Sequence, residues 1–200
     1  MFSDFDPDLP SDYRRADILF LGNIDPDLQE GVLRQAEEPR LVAMDTIRLW
    51  IDIKPEALRR VLGGVDVFFA NDEEVKLIAG DPNLIRAGRI LQEMGPSLMV
   101  IKKGEHGVLV MGRDFVFAAP AFPCEKVVDP TGAGDSFGGG FLGYLDKVGK
   151  FGEEEVRRAA VYGSVMASFT IEDFSIDRLK TVTMEQIEER FNAFRKLVAF

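Results

Sequence analysis

Continuous apolar runs of strand length divide the first half of the chain: ADILFLG at 16–22, RLVAMD at 40–45, DVFFA at 66–70 and SLMVIKK at 97–103. None alternates polar with apolar positions, so each predicts a strand buried on both faces. The stretches between them carry helix signals. Asp25 and Pro26 open a helix that runs to about Glu37. Pro55 fits the first turn of the next, which ends at Gly63 and Gly64. Another helix follows at once from Asn71, and a further one runs from about Pro82 to Met94 and stops at Gly95. Residues 104–119 read differently, as two short strands, HGVLVM and DFVFAA, joined at Gly112 and Arg113 into an antiparallel hairpin. From Gly132 helices dominate, at roughly 132–147, 153–172 and 184–199. In the last of these, Met184, Ile187, Phe191, Phe194 and Val198 recur at core spacing, and Thr183 and Gln186 are spaced as a capping box. Residues 1–15, polar and proline-rich, read as an extended lead-in. Strands alternating with helices predict an α/β fold with a largely parallel sheet covered on both faces.

Composition narrows the class. With 46% hydrophobic and 29% charged residues, the 200-residue chain is globular and long enough for one self-sufficient domain over 1–200. A net charge of −10 argues against nucleic acid or an anionic membrane as partner, yet it leaves room for a small anionic ligand held by local amides. One cysteine, Cys124, and one histidine, His106, exclude an internal disulfide and leave no basis for a Cys/His zinc site. No window approaches the ~18 apolar residues of a membrane span. The opening MFSDFDPDLPSDY carries acid where a signal peptide needs base. These features lead to the expectation of a cytoplasmic protein.

The densest chemical signal comes late. Six of the nineteen glycines fall within 132–143, although glycine inside a helix costs about 1 kcal/mol relative to alanine. Pro130 and Thr131 make a turn, and Gly132, Ala133 and Gly134 then enter a helix whose first amides lack partners, a ready anion hole for a transferring phosphoryl group. Asp135, in the same turn, is either an acid favoured by the helix dipole or a general base for a substrate hydroxyl. The glycines at 138–140 also suit close packing against a neighbouring helix. A dinucleotide loop fits poorly. The spacing is G-x-G-x-x-x-G, with Phe137 in the third site, and an internal Asp would repel pyrophosphate.

The segment Asp129-Pro130-Thr131-Gly132-Ala133-Gly134-Asp135-Ser136-Phe137 resembles the D-T-x-G-A-G-D-x-F signature of the ribokinase, or PfkB, family of carbohydrate and nucleoside kinases. Further segments follow the family's order. Asn71-Asp72-Glu73-Glu74 is similar to N-x-x-E, and Lys102-Lys103-Gly104-Glu105-His106-Gly107 to K-x-G-x-x-G. Ala167, Ser168 and Glu172-Asp173-Phe174 resemble the stretch near the adenine pocket. The resemblance spans about Phe2 to Ser175. It implies a ribokinase-like three-layer sandwich with a mostly parallel sheet and a small antiparallel hairpin, and ATP-dependent phosphotransfer to a hydroxymethyl group of a sugar or nucleoside. Asp135 is then the base, with the amides of Gly132, Ala133 and Gly134 as the anion hole. Lys103, Gly104, Gly107, Thr131 and Ser168 flank the nucleotide, as do Tyr162 and Ser164 if they are not helix packing. Asn71 and Glu74 organise Mg²⁺ through water, although N-x-x-E at a helix start is equally a cap. Asp129 lies where some members hold a monovalent cation.

One departure from the family is large. Its members open with strands, a β lid and sugar-gripping Gly-Gly and Asp residues, whereas this chain opens on a segment resembling their middle. The expectation is a chain truncated at its N-terminus, with the nucleotide half present and the acceptor half missing. Such a chain binds nucleotide and transfers phosphate poorly or not at all, and its exposed sheet edge leads either to instability or to a homodimer. A nucleotide-binding fragment without catalysis is the alternative, and a dinucleotide-binding oxidoreductase ranks behind both. The acceptor itself stays open. Met44, Asp45 and Thr46, at a strand's C-terminal end, are either substrate neighbours or turn residues.

Overall fold

The computed structural model describes residues 5–199, so the first part of the predicted lead-in (residues 1–4) lies outside the described residues. The chain divides into two compact units. The first runs to Ile101 and takes in Met111–Asp114; the second holds Lys102–Val110 and everything from Phe115 onward.

In the first unit, a single helical turn, α1 (Ser11–Arg14), interrupts the lead-in that sequence alone makes extended. It is followed by β1 (Ile18–Leu21), α2 (Pro26–Gln35), β2 (Leu41–Asp45), α3 (Arg48–Ile53), α4 (Pro55–Leu62), β3 (Val67–Asn71), α5 (Asp72–Ala79), α6 (Leu84–Met94) and β4 (Leu98–Lys102). Asp25 caps α2 by accepting the Asp27 N–H at 3.0 Å, and Asn83 caps α6 by accepting those of Ile85 and Arg86. β1 is parallel to β2, with Ile18 opposite Leu41, and β2 is parallel to β3, with Ala43 opposite Val67. Right-handed crossovers stepping one strand at a time in one direction place their helices on one face. α2 accordingly packs on α4, and α5 on α6. Gln29 ties α2 to the strand ends, its Nε2 donating to the carbonyls of Leu21, Gly22 and Asp45 at 2.8–3.3 Å.

Two expectations change here. β2 is buried throughout, but Ile18, Leu19 and Phe20 of β1 are only half-buried, because β1 ends the strand order and has β2 as its neighbour. α3 was not legible: six residues are too few for a helical period to show, and Ile47, at its N-cap, has no capping side chain.

The second unit begins with a 3₁₀ turn at Gly104–His106. It continues through β5 (Val108–Met111), β6 (Val116–Ala119), α7 (Ala133–Val148), α8 (Glu153–Thr170), a 3₁₀ turn at Leu179–Thr181 and α9 (Met184–Leu197). In the first unit the strands hydrogen-bond in the order β1-β2-β3-β4, parallel over β1–β3, and in the second β5 neighbours β6. α7 and α8 form the core of this unit. A Cβ on Gly140 would lie 2.9 Å from the Tyr162 carbonyl, so the expected close packing of this glycine stretch is present. The capping box at Thr183 and Gln186 forms. The expected core stripe of α9 does not. Phe194 is buried, but Met184 and Val198 are exposed, because α9 packs on α8 along a narrow seam that the outer positions of the stripe miss.

Candidate active site

The loop before α7 is shaped by its own side chains. Asp129 Oδ1 accepts the Thr131 N–H at 2.9 Å, and Oδ2 accepts the Ser175 N–H at 3.3 Å. These donors, Thr131 foremost, hold the Asp129 carboxyl below the usual aspartate value. The chain then turns through Gly132, whose φ of +79° belongs to the left-handed region that glycine enters freely. The Ala133 N–H bonds back to the Pro130 carbonyl at 3.2 Å, and the Ser136 N–H to Gly132 at 2.9 Å. Of the three amides expected to form the anion hole, Ala133 is therefore engaged internally. Gly132 and Gly134, with Asp135, have no intramolecular acceptor among the described residues' hydrogen bonds. A helix N-terminus with open amides and a positive dipole end is the local arrangement that holds anions.

This turn separates two clefts of the second unit. One, of ≈ 610 Å³, is bordered by Pro130, Ala133 and Gly134, and its walls include Phe122, Ala167 and Ile171. The other, of ≈ 630 Å³, is bordered by Asp129, Thr131, Gly132 and Asp135, and its lining also includes Phe174 and Ser175. Both volumes suit a small-molecule ligand. The Asp135 side chain is solvent-exposed at the second cleft.

The sequence-derived site residues fall into distinct places. Gly104 and Gly107 line the first cleft. Gly107 has a φ of +91°, and a Cβ there would lie 2.0 Å from the Ala119 carbonyl, so no other residue fits. Lys103 does not line the cleft; its N–H and carbonyl instead close the turn onto Gly107 and His106. Lys102, one position earlier and so on the opposite side of β4, does line it, with Nζ 3.2 Å from the position of a Cβ on Gly134. Ser164 and Ser168 also lie in the wall. Their hydroxyls donate to the Ala160 and Val165 carbonyls at 3.0 and 2.7 Å. Tyr162 is elsewhere, stacked between Tyr144 and Phe191 with its hydroxyl on Glu188; burial pushes its pKa up. Asn71 and Glu74 belong to the first unit and form a reciprocal capping box, each backbone N–H donating to the other's side chain at 2.8 Å.

Sequence reasoning gave the nucleotide role to Lys103, although Lys102 holds the lysine position of K-x-G-x-x-G, and it missed the apolar loop carrying Phe122 and Cys124. The motif spacing, which counts the lysine two positions before Gly104, was the signal that separates Lys102 from Lys103. The loop has no periodicity to read.

A family description, pfkB family carbohydrate kinase, matches residues 5–178. The cytidine kinase of Thermococcus kodakarensis is 35% identical over 159 residues, covering 74% of this chain and 57% of that kinase. Solved structures share the fold. Aminoimidazole riboside kinase from Salmonella enterica, complexed with aminoimidazole riboside and an ATP analog, has a TM-score of 0.74 at 21% identity, covering 87% of this chain and 62% of its own. Fructokinase from Vibrio cholerae O395, in a fructose, ADP and calcium ion bound form, has a TM-score of 0.73 at 17% identity, covering 94% and 62%. The chain spans about half the length of the curated relatives it matches. A match running through almost every described element, with the glycine turn and its aspartate inside it, makes this chain a member of the pfkB family of carbohydrate kinases.

Proposed function

We propose that this chain takes part in transfer of the terminal phosphoryl group of ATP to a hydroxymethyl group of a sugar or nucleoside. The observation that carries the proposal is the turn at 130–134, with open amides and Lys102 toward one cleft and the Asp135 carboxylate toward the other. The first cleft suits a nucleotide, with apolar walls for a base and Lys102 with the α7 amides for phosphates. The second then receives the acceptor. Asp135 accepts the proton of the acceptor hydroxyl as its oxygen bonds to phosphorus and the bond to the ADP oxygen breaks. The amides of Gly132 and Gly134 donate to the oxygens of the group in transit.

Mg²⁺ supplies charge neutralisation on the phosphates when bound. Among the described residues no three His, Cys, Asp or Glu side chains cluster to cage a metal. The buried Glu74 and its partner Asn71 are hard oxygen donors at a helix start, a set suited to an ion that keeps most of its water. Asp129 carries lone pairs beyond its two loop bonds, and a monovalent cation beside it belongs to the same proposal.

Incubation with ATP and Mg²⁺ against a panel of sugars and nucleosides, read by mass of the products, tests the proposal. A phosphorylated acceptor above the hydrolysis background is expected. ATP binding with no phosphorylated product would favour a nucleotide-binding role alone, and absence of ATP binding would overturn both.

A further inference from the structure

The family match ends at residue 178, and α9 lies beyond it. From α9 a single arginine reaches the wall of the first cleft. Arg190 is mostly buried, with its side chain 17% exposed. Its Nη2 lies 2.6 Å from Glu172 Oε1, and its Nη1 donates to Ser168 Oγ at 3.0 Å. Its guanidinium carbon sits 3.5 Å from the Phe169 ring centroid and 5.2 Å from that of Phe122. Phe122 also stacks on Phe194 of α9 at 6.3 Å. Ser168 and Phe122 both line the cleft, the first from α8 and the second from the loop at 120–127. One planar cation therefore touches both walls: its hydrogen bond to Ser168 and its nearer ring, Phe169, lie on α8, and its farther ring, Phe122, lies on the loop.

We infer that Arg190 is a positioning residue for the apolar, base-accepting end of this cleft, fixing the Phe122 loop against α8 without touching the ligand. The inference rests on the nucleotide reading of the cleft. The loop has no secondary structure of its own, and Cys124, also in the wall, contributes only a long thiol contact (3.9 Å) to the Ser168 carbonyl. The end of the loop is tied to the end of α8 by the Val128 N–H on the Ile171 carbonyl at 2.8 Å, so the guanidinium governs the stretch around Phe122 and not the whole loop. Lysine keeps the charge but cannot fork between Glu172 and Ser168 while stacking on two rings.

The test compares wild type, Arg190→Lys and Arg190→Gln, all checked for an intact circular dichroism spectrum. Calorimetry with ATP and with inorganic tripolyphosphate separates the base from the phosphates. Both variants are expected to weaken ATP about tenfold or more, because the base then meets a wall that must be ordered on binding. Tripolyphosphate affinity is expected to stay within about twofold. The reaction of Cys124, the chain's one cysteine, with a disulfide reagent reads the loop directly and needs no nucleotide. Its rate is expected to rise about tenfold in both variants, since local opening controls access. Unchanged labelling, or faster labelling with ATP affinity intact, would overturn the inference. A wild-type chain that binds no ATP would overturn the nucleotide reading, and the labelling rate would still decide whether Arg190 orders the wall.

Discussion

An ammonium 3.2 Å from where Gly134 would carry a Cβ places positive charge beside the open amides of α7. Lys102→Met is therefore expected to weaken both ATP and tripolyphosphate about tenfold by calorimetry, whereas Lys103→Met leaves both within about twofold. Equal effects would show that the side of β4 is immaterial. Asp129 makes a second residue-level prediction. Its carboxyl is held below 3.8, the ordinary aspartate value, chiefly by Thr131, so the ionised form favours the folded loop. That contribution is fully present above the ordinary value and is lost as pH falls through the lowered one. Protection of the Thr131 and Ser175 amides relative to their intrinsic exchange is expected to fall as pH drops below about 4, and Asp129→Asn should remove this pH dependence. The residue types of the site were legible in the sequence because the glycine turn packs several constraints into a few positions. The choice between two adjacent lysines was legible in the K-x-G-x-x-G spacing, which puts Lys102 at the lysine position, and the structure places that residue in the cleft wall.

Local signals carried most of the element boundaries. Pro55, the Asn71–Glu74 pair and the Thr183–Gln186 pair each mark a helix start by chemistry complete within four residues, and each helix begins there. Asn71→Ala is expected to cost about 1 kcal/mol in urea unfolding without Mg²⁺, the cost of a lost cap. If Asn71 also helps organise Mg²⁺, the same variant lowers the Mg²⁺ dependence of ATP binding; an unchanged dependence would leave it a cap alone. At Gly132 a Cβ meets nothing within 4 Å, so Gly132→Ala tests backbone strain by itself and is expected to cost about 1–2 kcal/mol. Burial was harder to read than boundaries. The apolar run of β1 looks like that of β2, and only the strand order shows that one ends the sheet. The α9 stripe has core spacing, but spacing says which residues share a face and not how wide a partner that face meets.

For the molecule as a whole, the sequential strand order matters most. A dinucleotide fold places its glycine turn directly after β1, at a switch in strand order. Here the strands of the first unit run in chain order without reversal, and the glycine turn lies in the second unit, after β6. Topology and the family match thus remove the oxidoreductase alternative, which motif spacing only weakened. The net charge of −10 does not oppose an anionic ligand, because the proposed phosphate site is built from local amides and one lysine. The most direct measurement follows ATP affinity and phosphorylated product together for wild type and Asp135→Asn. The expected result is an unchanged Kd for ATP with transfer reduced by about 10²–10⁴-fold, the contribution of a general base. Loss of affinity and transfer in equal proportion, or transfer that survives the substitution, would contradict the role given to Asp135.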